Sequence, residues 1–113
     1  MIEITIRLSE DGRNIKEIES TGHAGFGQYG QDIVCAAVSS QLISVENSID
    51  QLLQIPVQSQ LNEIDGGYLK LTFPTLQEKR PREDMQLLLR HLVLALEITA
   101  QAYPEYIRIT QSK

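Results

Sequence analysis

Residues 21–40 read TGHAGFGQYGQDIVCAAVSS, a glycine-rich segment that leads directly into a segment with helical spacing. The chain's single cysteine, Cys35, lies close to the predicted start of that helix. The positive end of a helix macrodipole favours a thiolate over a thiol at this place. His23, on the preceding loop, can reach such a sulfur. The stretch therefore offers a candidate nucleophile, Cys35, and a candidate base, His23.

Each of these residues also has a simpler interpretation. Cys35 can be a small buried apolar side chain, as many cysteines are, and His23 an ordinary loop residue. Asp32 is a predicted N-cap, which places Cys35 at the third helical position. Asp32 can equally orient His23 or bind a basic group of a substrate. Ser39 follows Cys35 by about one turn, on the flank of the same helix.

The residues before this stretch predict a β-hairpin. Apolar and polar residues alternate over 2–8, which is typical of a strand with one buried face. Turn-forming residues at 9–14 separate this strand from a second, weaker strand pattern over 15–21.

The first helix is predicted to begin after Asp32 and to end near Gln54, before Pro56. Its apolar residues recur with helical spacing and define the face expected to be buried. These residues are Val34, Val38, Leu42, Val45, Ile49 and Leu52.

The second half of the chain predicts two strands, a helix and a final strand. The strands are expected over 57–62 and 68–73, with the turn signal Asp-Gly-Gly between them. A polar connection over 75–83 precedes a helix over 85–102, and a strand over 103–110 closes the chain.

The polar stripe predicted for the second helix is narrow. It consists of Gln86, Arg90, Glu97 and Gln101, and leucine, isoleucine and valine occupy much of the remaining surface. A single sheet rarely covers so wide an apolar surface in a protein of 113 residues. We therefore expect a second subunit to bury part of this helix, as in a homodimer.

The element order is β-β-α-β-β-α-β, without internal repeats. It predicts an α+β fold in which a largely antiparallel sheet packs on two helices as a two-layer sandwich. The length suits a single domain over 1–113.

Composition excludes several classes of function. The formal net charge of −5 argues against direct nucleic-acid binding through a basic face. No signal-peptide or membrane-spanning pattern is present, and one cysteine cannot form an intramolecular disulfide, so a cytoplasmic protein is expected. One cysteine and two distant histidines do not form a recognisable metal-ligand set, and no cofactor is expected.

The motif around Cys35 resembles that of the ribosomal-processing cysteine protease family, Prp. The resemblance rests on the triplet Gly22-His23-Ala24, then Gly30 and Asp32, the triplet Val34-Cys35-Ala36, and Ser39. The residues and their spacing match the family pattern, and the order of elements along the whole chain also fits.

The resemblance implies a cytoplasmic, dimeric endopeptidase with a glycine-rich loop that moves when substrate binds. Its substrate would be the N-terminal extension of large-subunit ribosomal protein twenty-seven. Cys35 would be the nucleophile and His23 its base, with Gly22, Asp32 and Ser39 as possible auxiliary or substrate-binding residues.

Two other functions remain open from the sequence. A non-enzymatic ribosome-assembly factor that binds the same ribosomal protein would need the peptide groove and not the thiol. A redox-sensing thiol is a third reading, although the chain has no second cysteine to resolve an oxidised Cys35.

Overall fold

The computed structural model describes residues 1–22, 31–62 and 67–113, with the side chains of Gln31 and Asp32 outside this description. His23, the remainder of the glycine-rich loop and most of the Asp-Gly-Gly turn therefore lie outside the described residues. The elements are β1 (Ile2–Leu8), β2 (Ile15–Thr21), α1 (Gln31–Leu52), β3 (Gln58–Leu61), β4 (Tyr68–Thr72), α2 (Lys79–Ala102) and β5 (Ile107–Ser112). This order and the α+β class confirm the predicted architecture.

The five strands form one mixed sheet in the order β3-β4-β2-β1-β5. The β1–β2, β2–β4 and β3–β4 pairs are antiparallel, whereas β5 lies parallel to β1. Parallel pairing follows because α2 connects β4 to β5 as a long crossover rather than a tight turn. The prediction of a largely antiparallel sheet is correct for all but this edge.

The core lies between one face of the sheet and the two helices. Strand β1 alternates buried and more exposed positions, as the sequence predicts, whereas β2 buries Ile15 and Ile18, three residues apart. From α1, Val34, Val38, Leu42, Val45 and Ile49 are buried in this layer. The predicted stripe is wrong only at its end, because Leu52 is the last residue of α1 and its side chain is 75% exposed.

Helix α2 begins at Lys79, six residues before the predicted start at Met85. The charged residues preceding Met85 form its first turns, and Pro81 is tolerated there because its missing N–H would have no partner within the helix. Residues 79–83 of the predicted polar connection are therefore helical. The closing strand also starts later than predicted, at Ile107.

A polar network covers the open face of the sheet. The Lys70 Nζ lies 3.1 Å from the Glu17 carboxylate, and Arg7 bonds both Glu17 and Glu19. The Tyr68 hydroxyl donates a hydrogen bond of 2.9 Å to Glu19. Burial raises the pKa of Glu17, but the hydrogen bonds from Lys70 and Arg7 outweigh it and hold this pKa below its usual value. The network joins β1, β2 and β4.

Gln86 is buried, although its position in the sequence predicts a place on the polar stripe of α2. Its side-chain oxygen accepts a hydrogen bond of 2.7 Å from the Ile15 N–H, and its Nε2 donates one of 3.0 Å to the Ile15 carbonyl. The amide therefore pairs both backbone groups of Ile15, opposite the irregularity between Arg7 and Leu8 in β1. A side-chain amide supplies both this donor and this acceptor without carrying a charge.

We predict that Gln86→Leu lowers the free energy of unfolding by about 2–5 kcal/mol, since it leaves two buried backbone groups without their partner. Urea unfolding monitored by circular dichroism measures the change. Gln101→Leu, an exposed position on the same helix, is the matched control and should change stability by less than about 0.5 kcal/mol. Equal effects of the two substitutions would contradict the structural role given to Gln86.

Candidate active site

Helix α1 places Cys35 at the side of the core. Its neighbours Val34 and Val38 are buried against the sheet, and Cys35 itself is half-buried and packs against the core cluster. Successive helical residues are rotated by about 100°, so the residue after a buried Val34 lies on the flank of the helix. This position gives the sulfur both a packed surrounding and an open side.

The open side of Cys35 faces a cleft of about 130 Å³ between α1 and the sheet. Cys35, Ser39 and Ile43 line it from α1, and Ser20, Leu61 and Leu69 line it from the strands. The cleft lies where β1 begins and β2 ends. Of the predicted site residues, the structure brings Cys35, Ser39 and Gly22 together around this one cleft.

Gly22 fixes the chain immediately before His23. Its φ of +91° lies in the region that favours glycine, and its N–H donates a hydrogen bond of 2.8 Å to the Gly67 carbonyl. A Cβ at this position would lie 2.3 Å from the Met1 carbonyl oxygen. Gly22 is therefore required by close backbone packing, a role that the sequence pattern does not reveal.

The helix start differs from the prediction. Because α1 begins at Gln31, Asp32 lies inside its first turn and is not the N-cap, and Cys35 is the fifth helical residue, not the third. The Cys35 N–H therefore falls within the intrahelical hydrogen-bond series. The N–H groups without a helical partner belong to residues 31–33. The macrodipole acts mainly on the first turn, so the argument for a thiolate from the helix end alone is weaker than predicted.

The Cα–Cβ bond of Cys35 nevertheless tilts toward the open N–H groups of the first turn. Every Cα–Cβ bond in an α-helix tilts toward the helix N-terminus. A side chain in the second turn thus covers the turn before it. A carbonyl attacked by Cys35 would lie near the first turn of α1, where open N–H groups can donate hydrogen bonds to the developing oxyanion.

Two apolar residues of the sheet, Leu61 and Leu69, line the cleft in a way that their sequence pattern does not predict. They face each other as a register pair of β3 and β4. The available signal was weak, since Leu61 is the only apolar residue in the four-residue strand β3.

The described part of the chain contains neither a candidate metal site nor a candidate membrane span. Within residues 1–22, 31–62 and 67–113, no cluster of three or more His, Cys, Asp or Glu side chains is placed to hold a metal ion. In the same ranges, no helix has the length and apolar character needed to cross a membrane.

Comparison with known proteins supplies the family. The family model described as cysteine protease Prp matches residues 1–108. The ribosomal processing cysteine protease Prp of Bacillus subtilis (strain 168) is 36% identical over 110 residues, which cover 97% of this chain and 96% of that protein.

Two crystal structures of the essential ribosomal processing protease Prp from S. aureus have the same fold. One holds a substrate peptide and has a TM-score of 0.82 at 26% identity, covering 98% of this chain and 99% of that chain. The other holds a covalently linked product peptide and has a TM-score of 0.82 at 27% identity, with the same coverage. The resemblance drawn from the sequence motif is confirmed: the chain belongs to the Prp family and is a cysteine protease.

Proposed function

We propose that this protein is an endopeptidase that removes the N-terminal extension of large-subunit ribosomal protein twenty-seven during ribosome maturation. The observation that carries the proposal is the position of Cys35, half-buried on α1 and open to a cleft at the end of the sheet. The S. aureus relative has been solved with a covalently linked product peptide. This complex supports a peptide as the substrate of the present protein.

In the proposed reaction, His23 takes the proton of the Cys35 thiol, and the sulfur attacks the scissile carbonyl carbon. The C–N bond then breaks, and the imidazolium gives its proton to the departing amine. Water next adds to the thioester, His23 again takes a proton, and the carboxylate product leaves as the thiol is restored. The open N–H groups at 31–33 would stabilise the negative charge on oxygen in both tetrahedral intermediates. Asp32 and Ser39 are proposed as auxiliary residues.

The direct test is incubation of the purified protein with the extended ribosomal protein, followed by mass spectrometry of the products. A single cut that removes the extension is expected. Alkylation of the wild-type protein with iodoacetamide beforehand should abolish the cut. A protein that binds the extension but never cuts it would instead support the alternative of a non-enzymatic ribosome-assembly factor.

We further propose that the enzyme is a cytoplasmic homodimer that uses the outer face of α2. Leu87, Leu94 and Ile98 recur at helical spacing on this face, and their side chains are 59%, 57% and 57% exposed in the single chain. Such a stripe matches the spacing by which two helices pack together. A second copy of the chain would remove this apolar surface from water.

We predict that Leu94→Glu converts the dimer to a monomer, because a carboxylate at the middle of the stripe would be buried without a partner. Sedimentation equilibrium at micromolar concentration measures the change in mass. Leu52→Glu, on the exposed end of α1, is the matched control and should remain dimeric. A wild-type protein that sediments as a monomer at this concentration would remove the proposal.

A further inference from the structure

Ser20 is a polar residue in the sheet wall of the cleft that the proposed reaction does not use. It lies on β2 two residues after Ile18, whose side chain is buried in the core. Because alternate residues of a strand face the same side of a sheet, Ser20 also faces the helices. It is half-buried and lines the same cleft as Cys35 and Ser39, from the sheet side.

Strand register places the Ser20 hydroxyl in an otherwise apolar row of side chains. Ser20 pairs with Ile4 of β1 on one side and with Leu69 of β4 on the other, and Leu69 pairs with Leu61 of β3. Four neighbouring strands thus present one hydroxyl and three aliphatic side chains to the helix side at the same level. Valine or isoleucine would extend this row and favours a strand, so packing does not explain a hydroxyl at position 20.

The hydroxyl of Ser20 is available to a bound molecule. It has no hydrogen-bond partner among the residues that the structure describes. Tyr68 also lines the cleft, but its hydroxyl donates to Glu19 on the open face of the sheet. Ser20 is therefore the side chain through which the described part of the sheet wall can form a hydrogen bond inside the cleft.

A peptide in this cleft needs such a group. Its backbone carries N–H and C=O groups at nearly every residue, and these groups lose hydration when the peptide leaves water. Aliphatic side chains cannot replace the lost hydrogen bonds, and a backbone group left unpaired weakens binding. A serine hydroxyl can donate one hydrogen bond and also accept, so it suits either backbone group.

We propose that the Ser20 hydroxyl anchors the peptide substrate by a hydrogen bond to a backbone amide group next to the scissile bond. This proposal rests on the proposed function, because it places the peptide in the cleft that holds Cys35. Ser20 contacts the bound peptide and not the reacting atoms, so its hydrogen bond is the same before and during attack by the sulfur. Such a contact lowers KM and leaves kcat unchanged.

The first test measures kcat and KM of Ser20→Ala on a synthetic peptide that spans the cut in the extended ribosomal protein. KM should rise about three- to tenfold, as expected for the loss of one hydrogen bond, and kcat should stay within about twofold of wild type. A change in kcat alone, or no change in either constant, would overturn the anchor.

Ser59→Ala is the matched control for this substitution. Ser59 lies on β3 as the register partner of the buried Leu71, on the same side of the sheet as Ser20, but it does not line the cleft. Both kinetic constants of Ser59→Ala should equal those of wild type. Circular dichroism checks the fold of the two variants.

A series of ester-containing peptides locates the hydrogen bond on the substrate. In each peptide one amide near the cut, other than the scissile amide, is replaced by an ester, which removes the N–H and weakens the carbonyl as an acceptor. At one position the ester should raise KM about three- to tenfold for wild type and less than about twofold for Ser20→Ala. If every ester has the same effect on the two enzymes, the anchor is overturned.

Binding separates a failure of the anchor from a failure of the proposed function. The peptide and its esters are titrated against Cys35→Ala, with and without Ser20→Ala, and fluorescence anisotropy gives Kd. If wild type cuts no peptide, the proteolytic function fails, and an ester whose cost in Kd disappears with Ser20→Ala still supports the anchor. If wild type cuts the peptide but Ser20→Ala changes neither KM nor Kd, the anchor fails and the proteolytic function stands. A protein that neither cuts nor binds any peptide overturns both.

Discussion

Cys35→Ala is expected to reduce cleavage of the extended ribosomal protein by at least about a thousandfold, because the substitution removes the nucleophile of the proposed reaction. Folding should be retained, since alanine is a strong helix former and the Cys35 side chain is only half-buried. Mass spectrometry of timed digests measures the rate, and circular dichroism checks the fold.

The role of His23 as the proposed base can be tested against His91, the second histidine of the chain. His23→Ala should lose activity to a similar extent, whereas His91→Ala, at an exposed position of α2, should cut at the wild-type rate. Ser39→Ala, whose side chain shares the cleft, reports whether that hydroxyl assists the reaction. Cleavage at the wild-type rate by Cys35→Ala would exclude Cys35 as the nucleophile.

Gly22→Ala should destabilise the protein by more than about 3 kcal/mol or displace the chain at the base of the glycine-rich loop. Two costs combine: the positive φ, about 1–3 kcal/mol for a residue with a Cβ, and the collision of that Cβ with the Met1 carbonyl oxygen. Hydrogen bonds restrain both backbone segments against a shift. The Gly22 N–H donates to the Gly67 carbonyl, and the Ile2 N–H, next to Met1, donates to the Tyr106 carbonyl. Urea unfolding and the cleavage rate together measure the effect.

Gly12→Ala is the matched control for this substitution. Gly12 also has a positive φ, +74°, but its nearest neighbour is the flexible end of the Lys113 side chain at 3.4 Å. Gly12→Ala therefore carries the cost of the backbone conformation without the collision. If the two substitutions proved equally destabilising, close packing against Met1 would not be the reason for glycine at position 22.

Most of the fold could be predicted because its elements have strong local patterns. Strict alternation defines β1, and helical spacing of valine and leucine defines the buried face of α1. The errors occur where a tertiary partner overrides the local pattern. The sequence predicts Gln86 at the surface, but its amide is buried because it bonds the backbone of Ile15. The parallel pairing of β5 depends on how α2 crosses the sheet.

The candidate site was predictable at Cys35 and Ser39 because one helix carries both residues. Leu61, Leu69 and Ile43 were not predictable as a group, since strand register and the limited reach of α1 bring them together. The start of α1 was misplaced by the capping preference of Asp32, a local signal that the observed first turn does not follow. Spacing in sequence thus predicts the candidate reactive groups, and only the packed layers show what surrounds Cys35.

The pairing of β1 with β5 has a consequence for biosynthesis. Ile2 lines the cleft beside Cys35, and its N–H is held by the carbonyl of Tyr106, just before the last strand. A nascent chain in which β5 has not yet been synthesised lacks the parallel partner of β1 on this side of the cleft. We therefore expect the wall of the cleft beside Cys35 to form only after β5 has been synthesised and has paired with β1.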